Sequence, residues 1–234
     1  MDEEFEPTSE SIIDGNLFLI EHPLVETHLA ILRDRTTPHG EYRQALKAIT
    51  NCLTYEAVGL FPPPSLQREV RTPSGEKTEV KSIMSENVCL VAINRSGLLM
   101  AATVDNMFPK APFGRFSIRR VVPGMKYDQK NSAFPEQLDA YQCFVFDATV
   151  ASGRTAAAAL QAIKKERGHS LKGVIFICVA ISKSGYEALQ IEYSEVPIIA
   201  ASIDEAEYRK EYVNPGIGAA GSRIYESRLF VDEV

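Results

Sequence analysis

The chain has 234 residues, 45% hydrophobic and 24% charged, which fits a folded globular protein with a sizeable core and excludes a collagenous or low-complexity chain. A formal net charge of −6 argues against the basic face that nucleic acid or an anionic membrane would select, so an anionic ligand must be met locally. The longest apolar run, Val174 to Ile181, is too short to cross a bilayer and no cationic leader opens the chain, so the expectation is a cytoplasmic protein.

Residues 1–15 are acidic and polar with little to bury, and are expected to form a disordered tail ahead of one domain spanning 16–234. Leu17 to Ile20 form a short apolar stretch. Leu24, His28, Ile31 and Leu32 then recur at helical spacing. Thr37-Pro38 starts a second amphipathic helix through Tyr42, Leu46, Ile49, Leu53 and Ala57. These two helices are expected to form an N-terminal hood.

Phe61-Pro62-Pro63-Pro64 ends the second helix, and 65–81, with Pro73-Ser74-Gly75 at its middle, reads as two edge segments joined by a hairpin turn. From Val88 short apolar strands alternate with helices. Strands are expected at 88–93, 113–119, 143–146, 174–180 and 196–202, and helices at 97–108, 153–167 and 183–192. This alternation implies α/β architecture, with a mostly parallel central sheet flanked by helices. The long polar segment 121–142 reads as a lid or hairpin over a site.

Cys52, Cys89, Cys143 and Cys178 form no C-x-x-C pair, and three of them lie in apolar strand-like runs, so buried reduced thiols are expected. His22, His28, His39 and His169 do not cluster at metal spacing, and no metal ligand is assigned.

The stretch 145–155, VFDATVASGRT, carries the strongest chemical signal. An apolar strand places Asp147 at its carboxyl end, where open α/β sheets bind ligands. Behind it, Ala151-Ser152-Gly153-Arg154-Thr155 offers amides and hydroxyls at a helix start, as a phosphate requires, while the acid accepts from ribose hydroxyls. A second reading stays open, in which the glycine only relieves a tight turn. G-x-x-x-x-G-K-[ST] is absent and no G-x-G-x-x-G follows a strand, so this is neither a P-loop nor a dinucleotide fingerprint.

Further candidates are Arg95-Ser96-Gly97, Arg120 and the segment Tyr212 to Gly221, YVNPGIGAAG. With His22-Pro23-Leu24-Val25, Leu32-Arg33-Asp34 and Tyr55-Glu56-Ala57, the series resembles the uracil phosphoribosyltransferase family from about residue 17 to about 227. RSGLLM stands for the family's RAGLGM, DATVASGRT for DPMLATGGS, and VNPGIGAAGSR for I-x-PGLGDAGDR. The resemblance implies a type I phosphoribosyltransferase fold with a β-hairpin lid at 121–142. The implied reaction displaces diphosphate from 5-phosphoribosyl-1-diphosphate (PRPP) by uracil, with Mg²⁺, giving UMP.

Carried over residue by residue, the resemblance makes Asp147, Arg95 and Arg120 the catalytic set. Arg95 and Arg120 would hold the diphosphate and Asp147 the ribose. The loop Ala148, Thr149, Val150, Ala151, Ser152, Gly153, Arg154 and Thr155 would complete the PRPP site, with its last four residues on the 5-phosphate. Val213, Gly218, Ala219 and Ala220 would read the base through backbone groups. Arg154 is either a phosphate ligand or an ordinary helix-start residue, and Arg33 with Asp34 is expected to form a helix-end or subunit-contact pair. A homodimer or homotetramer is also implied.

The chain departs from the family pattern at the chemistry. Ala219 and Ser222 stand where the family has aspartates, Val121 follows Arg120 where it has another, and Lys130 to Pro135 replaces the lid's Tyr-Tyr-x-Lys-Leu-Pro. Three readings follow: a uracil enzyme with altered lid chemistry, the same fold acting on another heterocycle, or an inactive homologue that binds nucleotide or a protein partner.

Overall fold

A computed structural model of the chain describes residues 12–120, 125–127, 131–208 and 212–225. Of these, 12–14, 119, 120, 125–127, 206–208 and 212 are described by their backbone alone. The acidic stretch 1–11, which makes up most of the expected tail, lies outside the described residues, as do 121–124 and 128–130 of the expected lid.

Strands β1 (Ile12–Asp14) and β2 (Leu17–Leu19) open the chain as an antiparallel pair. Ile12 to Asp14, expected in the tail, instead add a strand to the sheet edge. Helix α1 (Pro23–Arg33) has Pro23 in its first turn, and His22 Nδ1 accepts the Leu24 N–H at 3.1 Å, so His22-Pro23 acts as a helix start. Helix α2 (His39–Leu60) buries Tyr42, Leu46, Ile49 and Leu53 on one stripe, as the spacing predicts.

Among the described residues, strands β3 (Ser65–Arg71) and β4 (Lys77–Ile83) pair only with each other, as a mostly exposed two-stranded ribbon. The sheet proper continues with β5 (Val88–Ile93), buried throughout, and α3 (Ser96–Thr103) follows it. This helix is shorter than the expected 97–108. It gives way after Thr103 to a 3₁₀ turn at Asp105–Met107, where Val104, Asp105 and Asn106 are poor helix formers.

The expected strand 113–119 is two strands. Strand β6 (Phe113–Phe116) stays in the sheet, while β7 (Ile118–Arg120) leaves it and pairs antiparallel with β8 (Met125–Tyr127). The break falls at Ser117, whose amide donates to Ser132 Oγ at 2.8 Å rather than to a neighbouring strand. Behind this hairpin the chain returns along β6. Arg115 and Ala133 exchange backbone hydrogen bonds, and Leu138 is buried. Of the described part of 121–142, then, β8 belongs to the projecting hairpin, while 131–142 is tied to the sheet edge.

The remaining elements are β9 (Gln142–Phe146), β10 (Thr149–Val150), α4 (Arg154–Glu166), β11 (Val174–Ser182), α5 (Lys183–Tyr193), β12 (Ile198–Asp204), the hairpin β13 (Ala206–Tyr208) with β14 (Tyr212–Asn214), and α6 (Ala220–Tyr225). Sheet order is β1-β2-β12-β11-β9-β5-β6, with every pair from β2 to β6 parallel. One face packs against α1, α2, α3 and α6, and the other against α4 and α5. From β5 the chain moves outward to β6, and from β9 it moves the other way to β11. The switch point therefore lies between β5 and β9, where doubly wound sheets open a crevice at their carboxyl ends. No described helix is long and apolar enough to cross a membrane.

Candidate active site

The two strands that flank the switch point end in the two strongest candidates. After β5 the chain runs through a cis Asn94–Arg95 peptide, and Arg95, exposed, caps α3. After β9 comes Asp147. Ser96 Oγ donates to Asp147 Oδ1 at 2.5 Å and accepts the Ala148 N–H at 3.4 Å, so the serine next to Arg95 fixes the acid of the neighbouring strand. This approach needs Gly97, because a Cβ there would stand 2.1 Å from the Phe146 carbonyl oxygen.

Asp147 keeps some solvent access but lies in dense protein, and this burial pushes its carboxyl from the ordinary 3.8 up to about 7. Hydrogen bonds from Ser96 and from the Ala148 and Thr149 amides pull the other way and do not overcome the desolvation.

Behind Asp147, Ala148 is buried, and Thr149 and Val150 form β10 against Ala180 and Ile181 of β11. The loop then reaches Ala151, whose carbonyl accepts from Ser182 Oγ at 2.5 Å. Ser152 is half-buried. Gly153 sits at φ +72° as the N-terminal cap of α4, and a Cβ built on it would stand 2.8 Å from the Gly185 carbonyl oxygen, a clash. A side chain is therefore barred on both counts, and the first-turn amides of α4 have no side-chain cap from this residue. That is the geometry an anion uses at a helix start. Arg154 opens α4 and is exposed, and Thr155 lies half-buried in the first turn.

The third element is the loop from β14 to α6. Val213 and Ala220 are buried, Gly218 is exposed at φ +73°, and Ala219 is half-buried, its carbonyl accepting the Ser222 and Arg223 amides. A Cβ built on Gly221 would stand 3.4 Å from Arg95 Nε, and Tyr225 Oη donates to the Arg95 carbonyl at 3.4 Å. Arg95 therefore lies between the Asp147 loop and the 213–221 loop. Arg120 ends β7 at the start of the projecting hairpin, and its backbone alone is described.

A sequence model described as uracil phosphoribosyltransferase matches residues 19–227. The chain belongs to the uracil phosphoribosyltransferase family. It is 31% identical over 212 residues to a uracil phosphoribosyltransferase of Dictyoglomus turgidum, covering 91% of this chain and all of that one. A second, from Limosilactobacillus fermentum, is 28% identical over 92% of this chain and all of the relative. Among solved structures, the AQ2163 protein from Aquifex aeolicus superposes with a TM-score of 0.81 at 25% identity, over 92% of this chain and all of that one. An adenine phosphoribosyltransferase from Trypanosoma brucei, 12% identical over 82% of this chain and 85% of its own, gives a TM-score of 0.51 and shows the fold alone. The fold is that of the type I phosphoribosyltransferases.

Within this uracil phosphoribosyltransferase family fold, the structure brings Arg95, the Asp147 to Thr155 loop and the 213–221 loop to the carboxyl end of one sheet. Sequence reasoning missed the residues that hold them. Ser182 caps α5 by accepting the Gly185 amide while tying down Ala151. Asp204 ends β12 and accepts from Gly216 N at 2.9 Å. Arg223 donates to the carbonyls of Leu32, Asp34 and Ile217, and its guanidinium lies 4.1 Å from the Tyr42 ring centroid. Asp204 had a readable signal, as an acid at the end of an apolar run like Asp147.

Arg33 and Asp34 end and cap α1, in line with the helix-end expectation, and each is engaged elsewhere. Arg33 bridges to Asp204 at 2.8 Å, and the Asp34 carboxylate instead accepts the Thr36 amide and hydroxyl, which hold it below the usual carboxylate range.

Proposed function

We propose that the protein transfers the phosphoribosyl group of PRPP to N1 of uracil, releasing diphosphate and forming UMP. The observation that carries this reading is Asp147, fixed by Ser96 beside an α4 start whose geometry suits a phosphate. In this mechanism the loop amides and α4 start hold the 5-phosphate, and Asp147, once ionised, accepts from the ribose hydroxyls. Arg95 supplies positive charge where the diphosphate leaves, from a position that also borders the base loop. As the C1–oxygen bond breaks with its electron pair leaving on diphosphate, N1 adds to C1 and its proton passes to diphosphate or solvent, while the chain acts by orientation and electrostatics.

Mg²⁺ is compatible with this donor set. The ion asks for one or two carboxylates and takes its other oxygens from substrate phosphates and water. Of the carboxylates that end β9 and β12, Asp204 is buried and held on both oxygens by Arg33 and Gly216, while Asp147 keeps solvent access and would act toward the ion and ribose. Bound with PRPP, the ion would neutralise diphosphate charge.

A second reading, the same fold acting on a more polar heterocycle, is favoured by two hydroxyls. Thr149, Ala180 and Ser202 lie in one row across β10, β11 and β12. Thr149 Oγ1 and Ser202 Oγ are buried with no hydrogen-bond partner among the described residues. Val150 packs on the α4 face, so Thr149 turns to the opposite face, where Ile217 and Ala220 of the base loop pack.

The test is diphosphate release with Mg²⁺, PRPP and uracil, thymine or 5-hydroxyuracil, with Asp147→Asn as the blank. Turnover with uracil, lowered by about two to three orders of magnitude in the variant, is expected. A preference of about tenfold or more for 5-hydroxyuracil would move the assignment to the second reading. No turnover with any base would sink both.

A further inference from the structure

The structure gives Leu32-Arg33-Asp34, at the end of α1, a set of contacts that its sequence does not announce. Asp204 is 3% exposed and stands between the end of β12 and the loop after β14. Its Oδ1 accepts from Arg33 Nη2 at 2.8 Å and its Oδ2 from the Gly216 amide at 2.9 Å. The next residue of the loop is held separately. The Ile217 carbonyl accepts from Tyr42 Oη and from Arg223 Nη1, both at 3.2 Å. Arg223 in turn donates to the Leu32 carbonyl at 2.5 Å and the Asp34 carbonyl at 2.6 Å. Three consecutive residues of α1 and its cap thus hold two consecutive residues of the loop through Asp204 and Arg223.

Pro215 to Ala219 has no regular secondary structure, so its course is not fixed by a strand ladder or a helix. A loop that reads a planar ring through its backbone must nevertheless hold its amides and carbonyls within about half an ångström. We propose that Leu32-Arg33-Asp34 is the anchor of the base-reading loop, and that Arg33 and Asp204 are positioning residues which set base affinity through the Gly216 amide. This rests on the reading of 213–221 as the base site. The contacts are separate from the PRPP side: the Asp147 loop is held by Ser96 and Ser182, and no hydrogen bond described for Arg33 or Asp204 reaches it.

The effect is therefore selective. Arg33→Met keeps most of the stem and removes the charge, leaving the buried Asp204 carboxylate without its cationic partner. The Michaelis constant for the base is expected to rise about tenfold, that for PRPP to stay within about twofold, and kcat to change little. Arg33→Lys restores a cation without the planar fork and should recover part of the loss. Asp204→Asn keeps an acceptor for Gly216 and should be milder than Arg33→Met.

Hydrogen exchange provides a readout that does not depend on turnover. The Gly216 amide should exchange at least about tenfold faster in Arg33→Met, with the amides of 148–155 unchanged. If Arg33→Met does not fold, Arg33→Lys carries the same comparison at smaller amplitude. Equal rises in both Michaelis constants, or an unchanged Gly216 exchange rate, would overturn the proposal. Wild-type protein inert toward every base would remove the base-site role together with the reading beneath it. Accelerated exchange would then still establish the clamp.

Discussion

The two halves of the site are built differently. The phosphoribose half is positioned by the sheet. Asp147 and Arg95 follow buried strands that pair in register, and Gly97 lets α3 approach until Ser96 reaches the acid. The base half lies on a loop and is positioned by long side chains, Arg33 and Arg223, reaching from or to the hood. Departures from the family pattern fall on both halves. Ala219 and Ser222 lie on the half where backbone groups would do the reading, and on the phosphoribose half Asp147, Gly97 and Gly153 are kept while Leu99 and Arg154 stand where the family has glycines. The two glycines kept on the phosphoribose half are those where a Cβ would meet backbone, and a half set by clamps can change side chains while its course is kept.

The sharpest way to break this comparison is Gly97→Ala. The added Cβ would meet backbone, the Phe146 carbonyl oxygen at 2.1 Å, so β5 and β9 or α3 must shift. Overpacking of this kind should cost about 3 kcal/mol or more, and the displaced Ser96 and Arg95 should take kcat/KM down by at least about three orders of magnitude. Denaturant unfolding and steady-state kinetics check both. A variant of wild-type stability and activity would show that the phosphoribose half is not set by packing.

What could be read from the sequence follows the same division. Asp147 and Arg95 were legible because an apolar run that ends in a charged residue marks the carboxyl end of a strand, and the alternation of strands and helices gave the sheet. Asp204 ends a strand in the same manner, yet its partner Arg33 is 171 residues away and Arg223 reaches Leu32 across 191, and such contacts leave no periodic trace. The departure of β7 from the sheet was hidden for a related reason. The alternating run 113–119 is one strand by pattern, and it is broken by the bond between Ser117 and Ser132 and the pairing of β7 with β8.

The titration of Asp147 gives a test of intermediate size. Because burial raises its carboxyl from 3.8 to about 7, the group is neutral below that pH and ionised above it. With the anion as ribose acceptor, kcat/KM for PRPP should rise about tenfold per pH unit up to about 7 and then level off, and Asp147→Asn should lack this limb. Stability runs the opposite way. A raised carboxyl pKa favours the folded state fully below about pH 4, and that contribution, of the order of 4 kcal/mol, is lost as pH rises through about 7. Asp147→Asn should therefore be the more stable protein at pH 8 in thermal unfolding. A pH-independent difference between the two would place the limb on another group.

The smallest expected effect separates two roles at Ala219. This residue precedes α6, and its carbonyl already accepts the Ser222 and Arg223 amides, so a carboxylate at the same position can cap the helix start. Ala219→Asp should add about 1 kcal/mol by capping, read as a rise of about 3 °C in the unfolding midpoint. The same charge lies on the turn that Arg95 crosses at Gly221, near the diphosphate side of the site. If an acid there also helps hold Mg²⁺ with PRPP, the Michaelis constant for PRPP falls about threefold to tenfold while that for the base is unchanged. A higher midpoint with an unchanged PRPP constant would mean that the position acts as a cap alone.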